Sequence, residues 1–300
     1  MLSPPVIPRF ATTLFAVLCS IQMLHAEIIP VPSAAAARIT VEVSGQGSDV
    51  VLIPGLASSR AVWDATVARL ADHYRVHVVQ VSGFAGQPAG ANATGAVLQP
   101  TVDAIDLYIE RQKLKSPAVI GHSLGGLMGL LLAKQHPGDV GRLMIVDALP
   151  FYGVLFGPNA TVESIETRAA AMRDAITKQT PEIFAAMEGR IVPTLVKSPD
   201  GRTQVTAWAQ ASDRSVLGRV VYEDMTTDLR GDLALIKTPT VILYPWDAAT
   251  GMPQAAFDAI YTDAYASMPN AKVKRIDGSF HFIMLDQPDA FAAEVESFLK

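Results

Sequence analysis

Three hundred residues, half of them hydrophobic and 18% charged, are enough chain to bury a large core in one domain or two. A net charge of −5, with no basic block to neutralise phosphates, argues against a nucleic-acid partner. The single cysteine, Cys19, excludes an intrachain disulfide and a cysteine-based metal site.

The first residues read as an address. Arg9 supplies a small positive charge, an apolar run from Phe10 to Leu24 follows, and Leu24-His25-Ala26 offers a small-residue cleavage site. The run is short for a bilayer span. The expectation is a signal peptide over 1–26, export to the periplasm or the medium, and no stable membrane span after cleavage. An uncleaved anchor is the alternative, and cleavage within Ala34–Ala37 also stays open. Leu18 is too large before Cys19 for a lipidation signal. If cleavage removes Cys19, the mature chain has no thiol nucleophile.

Past residue 37 the chain alternates strands and helices. Ile39, Val41 and Val43 alternate with Thr40, Glu42 and Ser44, the period of a half-buried strand near a sheet edge. Val50–Ile53 is continuously apolar and ends in Pro54-Gly55. Trp63, Val67 and Leu70 share a helical face, and Val76–Val81 is the next buried strand. Thr101 stands where it can cap a helix bearing Val102, Ile105, Tyr108 and Ile109. Ala118–Ile120 forms a strand, Leu127, Leu130 and Leu131 a helix stopping at His136-Pro137-Gly138, and Leu143–Val146 a strand ending at Asp147. Apolar strands separated by helices imply a parallel sheet covered on both faces. In such sheets chemistry gathers at the carboxyl ends of the strands.

After Pro150 the rhythm changes. Val162, Ile165, Ala169, Met172 and Ile176 keep helical spacing, and Thr180-Pro181 starts a second helix with proline where its missing N–H does no harm. Trp208, Val216, Val220, Val221 and Met225 belong to further helices. This predicts a helical cap over 151–232 between two parts of one core, 27–150 and 233–300. The sheet resumes with Thr240–Tyr244 and a short strand at Val273–Ile276, and the last helix carries Phe291, Val295 and Phe298.

Within this frame Gly121-His122-Ser123-Leu124-Gly125 joins a strand directly to a helix. G-x-S-x-G in that context is a nucleophile elbow, a sharp turn that thrusts the serine hydroxyl above the sheet. A serine hydroxyl needs a base to take its proton. Of His73, His77, His122, His136 and His281, the last follows the final strand in a loop that can swing over the elbow. A carboxylate must then fix the imidazole. Asp247, past the end of its strand and between serine and histidine in the chain, is the first choice, with Asp147 and Asp277 as alternatives. Backbone N–H groups of Leu124 and of Leu56, in Pro54-Gly55-Leu56, are the candidate oxyanion donors. Met128, Leu149, Phe151 and Tyr152 are candidates for an apolar substrate pocket, or for core.

Ile53-Pro54-Gly55-Leu56, Ser82-Gly83-Phe84-Ala85-Gly86, the elbow, Leu143–Asp147, Trp246-Asp247 and His281-Phe282 together resemble the α/β-hydrolase family. The resemblance implies an eight-stranded, mostly parallel, doubly wound sheet with a helical cap inserted after the sixth strand, and no cofactor. It departs from relatives in Pro54, where many have histidine, and in Phe280, where many have glycine. Serine at the elbow sets it apart from epoxide hydrolases and haloalkane dehalogenases, which use aspartate there. The expected function is a serine hydrolase of carboxylesterase type. It would cleave a small-molecule ester or related acyl bond through an acyl-enzyme. Carbon–carbon hydrolysis, lactone hydrolysis and cofactor-free haloperoxidation on the same residues are alternatives, as is a non-catalytic ligand-binding protein on this scaffold.

Overall fold

The computed structural model describes Met1, Glu27–Ile29 and residues 38–300; the predicted leader, apart from Met1, lies outside the described residues. Eight strands form one sheet: β1 (Glu27–Ile29), β2 (Ile39–Ser44), β3 (Ser48–Ile53), β4 (Tyr74–Val81), β5 (Ala118–His122), β6 (Arg142–Val146), β7 (Thr240–Trp246) and β8 (Ala271–Asp277). Their spatial order is β1-β2-β4-β3-β5-β6-β7-β8. The pairs β1·β2 and β2·β4 are antiparallel, and every pair from β4 to β8 is parallel.

The continuous apolar strands serve two cores at once. Successive side chains of a strand point to opposite faces. Val51, Ile53, Val119, Leu143, Ile145 and Ile242 accordingly pack on one side, against the helices Leu98–Arg111 and Leu124–Gln135. Val50, Leu52, Ile120, Met144, Val146 and Leu243 pack on the other, with Trp63, Phe291 and Val295. The helices Asp64–Leu70 and Pro288–Leu299 cover that second face. At the antiparallel edge β2 keeps its alternation, Ile39 and Val41 buried, and Arg60 reaches across to Glu42 on its outer face.

Thr101 does not cap its helix. The helix begins at Leu98, and the Thr101 hydroxyl donates to the Val97 carbonyl at 2.7 Å from within the first turn. The orphan N–H groups at the start are capped from outside: Glu223 accepts from Val97 and Leu98, at 2.6 Å for the latter. A tertiary cap of this kind leaves no local sequence signature.

Between β6 and β7 lie the helices Val162–Lys178, Pro181–Leu195, Pro199–Ala211 and Arg214–Thr226. Thr180 caps the second by accepting from the Ile183 N–H, and Pro181 is its first residue. The first and fourth of these helices pack on each other, while the second and third form a separate pair.

One polar cluster is buried far from the carboxyl ends of the strands. His77, in the middle of β4 and 1% exposed, places Nδ1 2.7 Å from the Tyr108 hydroxyl and Nε2 3.0 Å from Asp49. Facing a carboxylate, Nε2 carries the proton, and Nδ1 accepts from the tyrosine. Arg75 completes the group, 2.6 Å from Asp49. Burial lowers the His77 pKa against the pull of Asp49. Burial raises that of Asp49, but hydrogen bonds from Arg75 and His77 outweigh it and the net shift is downward. Both groups therefore bind protons more readily unfolded than folded, so the stability they contribute is lost on acidification. For His77 the loss begins below the ordinary imidazole value of about 6.5, and for Asp49 lower still. The urea midpoint should fall between pH 7.5 and 5.5, and His77→Gln should make that fall shallower. Parallel curves for the two proteins would remove His77 from this account.

Candidate active site

The turn after β5 has no room for side chains on its flanking glycines. A Cβ on Gly121 would lie 2.1 Å from the Gly125 carbonyl oxygen, and one on Gly125 would lie 2.3 Å from that of Ile53. Strand and helix can meet this closely only with glycine at both places. Between them Ser123 holds φ 52° and ψ −123°, a conformation costly for any residue with a Cβ. Its N–H donates to the Val146 carbonyl at 2.8 Å, which ties the turn to the neighbouring strand end. The strain is met by rigid surroundings, and the serine faces a cavity at the carboxyl end of the sheet.

His281 lines the same cavity. Its Nδ1 lies 2.5 Å from Oδ2 of Asp147, which is 9% exposed. The other oxygen of Asp147 accepts a hydrogen bond from the Tyr261 hydroxyl. Asp147 has a positive φ of 50°, which turns the chain at the end of β6; aspartate tolerates that region better than most residues. Tyr261 is held in turn by stacking on Tyr244, ring centroids 4.5 Å apart. Burial, with Asp147 beside it, raises the Tyr261 pKa well above the ordinary phenol value, so it stays a hydrogen-bond donor.

The carboxylate that meets His281 is thus Asp147, the alternative, and not Asp247, the first choice. Asp247 stands at the end of β7 as expected, but its side chain is turned to other partners. It accepts from the Ala249 N–H at 2.8 Å and pairs with Lys197. That hydrogen bond from Lys197 holds the Asp247 carboxyl below its usual range. Lys197 comes from the segment joining two inserted helices, so sequence order gave no warning of it. Asp277, the other alternative, is exposed and pairs with Arg275.

The loop after β3 approaches the elbow from one side. A Cβ on Gly55 would lie 3.1 Å from the Ser123 Cβ. Leu56 and Leu124 both line the cavity beside the serine. Leu124 is the first residue of its helix, where backbone N–H groups have no intrahelical acceptor. Ala57, next to Leu56, has φ 58°.

His122 has a larger part than its sequence position announced. It is fully buried, its ring centroid is 4.5 Å from that of His281, and its Nε2 lies 3.0 Å from the His281 carbonyl oxygen. Burial keeps its pKa well below the ordinary value, so the ring is neutral and Nε2–H is the donor. It supports His281 from beneath. On the other side Asp286 accepts from the backbone N–H of Phe280 at 2.9 Å and fixes the start of the same loop.

The cavity has a volume of about 380 Å³ and extends from Ser123 under the inserted helices. Leu149, Tyr152, Met172, Ile176, Phe184, Met187 and Trp208 contribute apolar wall. Met128 and Phe151, the other pocket candidates, are fully buried in the core. Two further acids line the cavity, Glu188 and Asp224. Burial pushes the Asp224 carboxyl up to about 7, against the opposing influence of His281. Asp224 is itself half-buried. Burial also raises the pKa of Glu188. Among the described residues, one group of side chains has metal-ligating geometry, and it lies away from this cavity. Asp106, His136 and Asp139 offer ligand atoms within 4.8 Å of one another at the far end of the elbow helix. That is about 18 Å along the helix axis from Ser123.

Comparisons with known proteins agree with this architecture. Residues 50–294 match the model of the alpha/beta hydrolase family. A pimeloyl-[acyl-carrier protein] methyl ester esterase from Vibrio cholerae serotype O1 is 28% identical over 265 residues, covering 86% of this chain and 96% of the relative. Among solved structures, an esterase from Exiguobacterium antarcticum superposes with a TM-score of 0.74 at 19% identity, over 92% of this chain and 99% of that one. The enol-lactonase from Burkholderia xenovorans LB400 gives 0.71 at 18% identity, over 87% and 96%. The similarity to the Vibrio enzyme overturns the expected export. That relative acts on a substrate borne by an acyl-carrier protein, and periplasmic or secreted placement does not follow for this chain. No helix among the described residues is long and apolar enough to cross a membrane. The match over 50–294 spans most of the chain, from the central strands through the elbow to the last helix, and the chain belongs to the alpha/beta hydrolase family.

Proposed function

We propose that this protein is a serine hydrolase that cleaves carboxylic esters through an acyl-enzyme. The observation that carries the reading is the meeting of Ser123 and His281 in one largely apolar cavity, with His281 Nδ1 2.5 Å from the buried Asp147 carboxylate. The esterase named among its relatives favours the same bond type.

In this mechanism the ester carbonyl sits above the elbow, and Ser123 Oγ attacks its carbon as His281 Nε2 takes the hydroxyl proton. Asp147 keeps the remaining proton on Nδ1 and stabilises the imidazolium that forms. The negative charge on the carbonyl oxygen is met by the N–H groups of Leu56 and Leu124. Each such donor is typically worth ~3–4 kcal/mol in the transition state. Collapse of the tetrahedral species breaks the bond to the alcohol, which leaves with the proton from His281. Water then enters, His281 activates it, and the same steps in reverse order release the acid. The apolar wall under the inserted helices accommodates the hydrocarbon part of the substrate.

Ser123→Ala should lower kcat on p-nitrophenyl butyrate by about 10⁴-fold or more, and a fluorophosphonate should label wild type alone. Equal activity in the two proteins would end the proposal. Asp147→Asn should cost about 10²- to 10⁴-fold in kcat, whereas Asp247→Asn should cost less than about tenfold, because Asp247 holds Lys197 instead of the histidine. A larger loss at Asp247 would reverse the assignment made from the geometry.

A further inference from the structure

The acids near the end of the helix Arg214–Thr226 differ in one respect. Glu223 accepts from the backbone of Val97 and Leu98. Asp228, just beyond the helix, forks with Arg230 at 2.6 Å. Asp224 lies between them and lines the cavity, and among the described residues its carboxyl has no hydrogen-bond or ion-pair partner. Asp224 shares this one cavity with Ser123 and His281, so a substrate held at Ser123 lies within the same enclosure. Glu188, on the helix Pro181–Leu195, lines another part of the same cavity. No lysine or arginine is among the lining residues.

A carboxyl enclosed by apolar wall without a donor is costly to keep. Packing does not require it there, since leucine or methionine would fill the same wall. The cost is offset when a bound molecule brings a hydrogen-bond donor. An arriving carboxylate would instead meet two acids and no cation.

We propose that Asp224 is a specificity-determining residue that accepts a hydrogen bond from a hydroxyl or ammonium group of the substrate. The cavity then selects esters carrying such a donor a few atoms from the scissile carbonyl, and rejects esters that carry a free carboxylate. This rests on the ester-hydrolase reading above, which supplies the position of the reacting carbonyl.

The test compares methyl butanoate, methyl 3-hydroxybutanoate, methyl 3-aminobutanoate and monomethyl succinate at pH 7.5, with the full chain as wild type, Asp224→Leu and Asp224→Asn. In wild type the hydroxy and amino esters should exceed methyl butanoate in kcat/KM by about tenfold or more, and monomethyl succinate should fall below it. Asp224→Leu should bring all the ratios towards one. Asp224→Asn should retain the preference for hydroxyl, since an amide oxygen still accepts, and lose the preference for ammonium. Ratios unchanged in the leucine variant, with wild type active and Ser123→Ala inactive, would overturn the specificity assignment and leave the hydrolase reading standing. Binding to Ser123→Ala, followed by tryptophan fluorescence since Trp208 lines the cavity, separates the opposite case. If no ester is turned over by wild type yet the donor-bearing esters bind in an Asp224-dependent way, the hydrolase reading fails and the subsite remains. Neither turnover nor Asp224-dependent binding would overturn both.

Discussion

The carboxylate of Asp147 is the contact on which the site depends. One oxygen receives Nδ1 of His281, from the loop after β8, and the other receives the hydroxyl of Tyr261, from the helix Gln254–Ala264. The end of β6, the histidine loop and a covering helix are thus joined at one buried group. A carboxylate removed from water is tolerated only when donors surround it. Here the donors come from segments more than a hundred residues away. The aromatic stack behind Tyr261, with Tyr244 4.5 Å and Phe257 5.8 Å away, keeps that hydroxyl in place. Loss of the Tyr261 bond would leave an unsatisfied oxygen and free the carboxylate to rotate away from the histidine.

The inserted helices are joined to the sheet through polar groups and leave the cavity mostly apolar. Asp286 accepts from the backbone N–H groups of Lys197 and Ser198 while also holding Phe280, so one residue ties the insertion to the histidine loop. Lys197 pairs with Asp247 and lies over the Phe280 ring. The Phe280 ring thus packs beneath the lysine that engages Asp247. Near the end of the insertion Glu223 ties it to the helix Leu98–Arg111. Apart from these polar anchors, the insertion presents leucine, isoleucine, methionine and phenylalanine side chains to the cavity.

What the sequence made legible follows from the range of each interaction. Apolar runs of the central strands and the glycines of the elbow are local signals, and they located β3 to β7, the turn at Ser123 and the helices that follow. The choice between Asp147 and Asp247 was not local. Both end parallel strands, one strand apart, and both precede His281. What separates them is Lys197 at one and Tyr261 at the other, residues 50 and 114 positions away. Thr101 failed as a cap for the same reason, because Glu223 arrives from 125 residues downstream. His122 was adjacent to Ser123 all along, but its support of His281 crosses 159 positions and becomes visible only with the loop in place. The edge strand β1 is three residues long and carries no periodicity to detect.

On the proposed reading, chemistry and selection are encoded in different parts of the chain. Ser123, Asp147, His281 and the backbone of Leu56 and Leu124 belong to the sheet and its loops, whose geometry is fixed by close packing and strained turns. Asp224 and Glu188 belong to the insertion, where a substitution changes the cavity wall without disturbing a strand. A bound molecule that displaces cavity water removes the solvation these two acids retain there. A purely hydrocarbon substrate must bear that desolvation cost unless the acids are protonated, and a substrate carrying a donor offsets it. Under the proposed role of Asp224, polarity in the insertion would discriminate among molecules that the sheet, by itself, would treat alike. The fold can host different substrates on one set of reacting groups because the two requirements are met by separate segments.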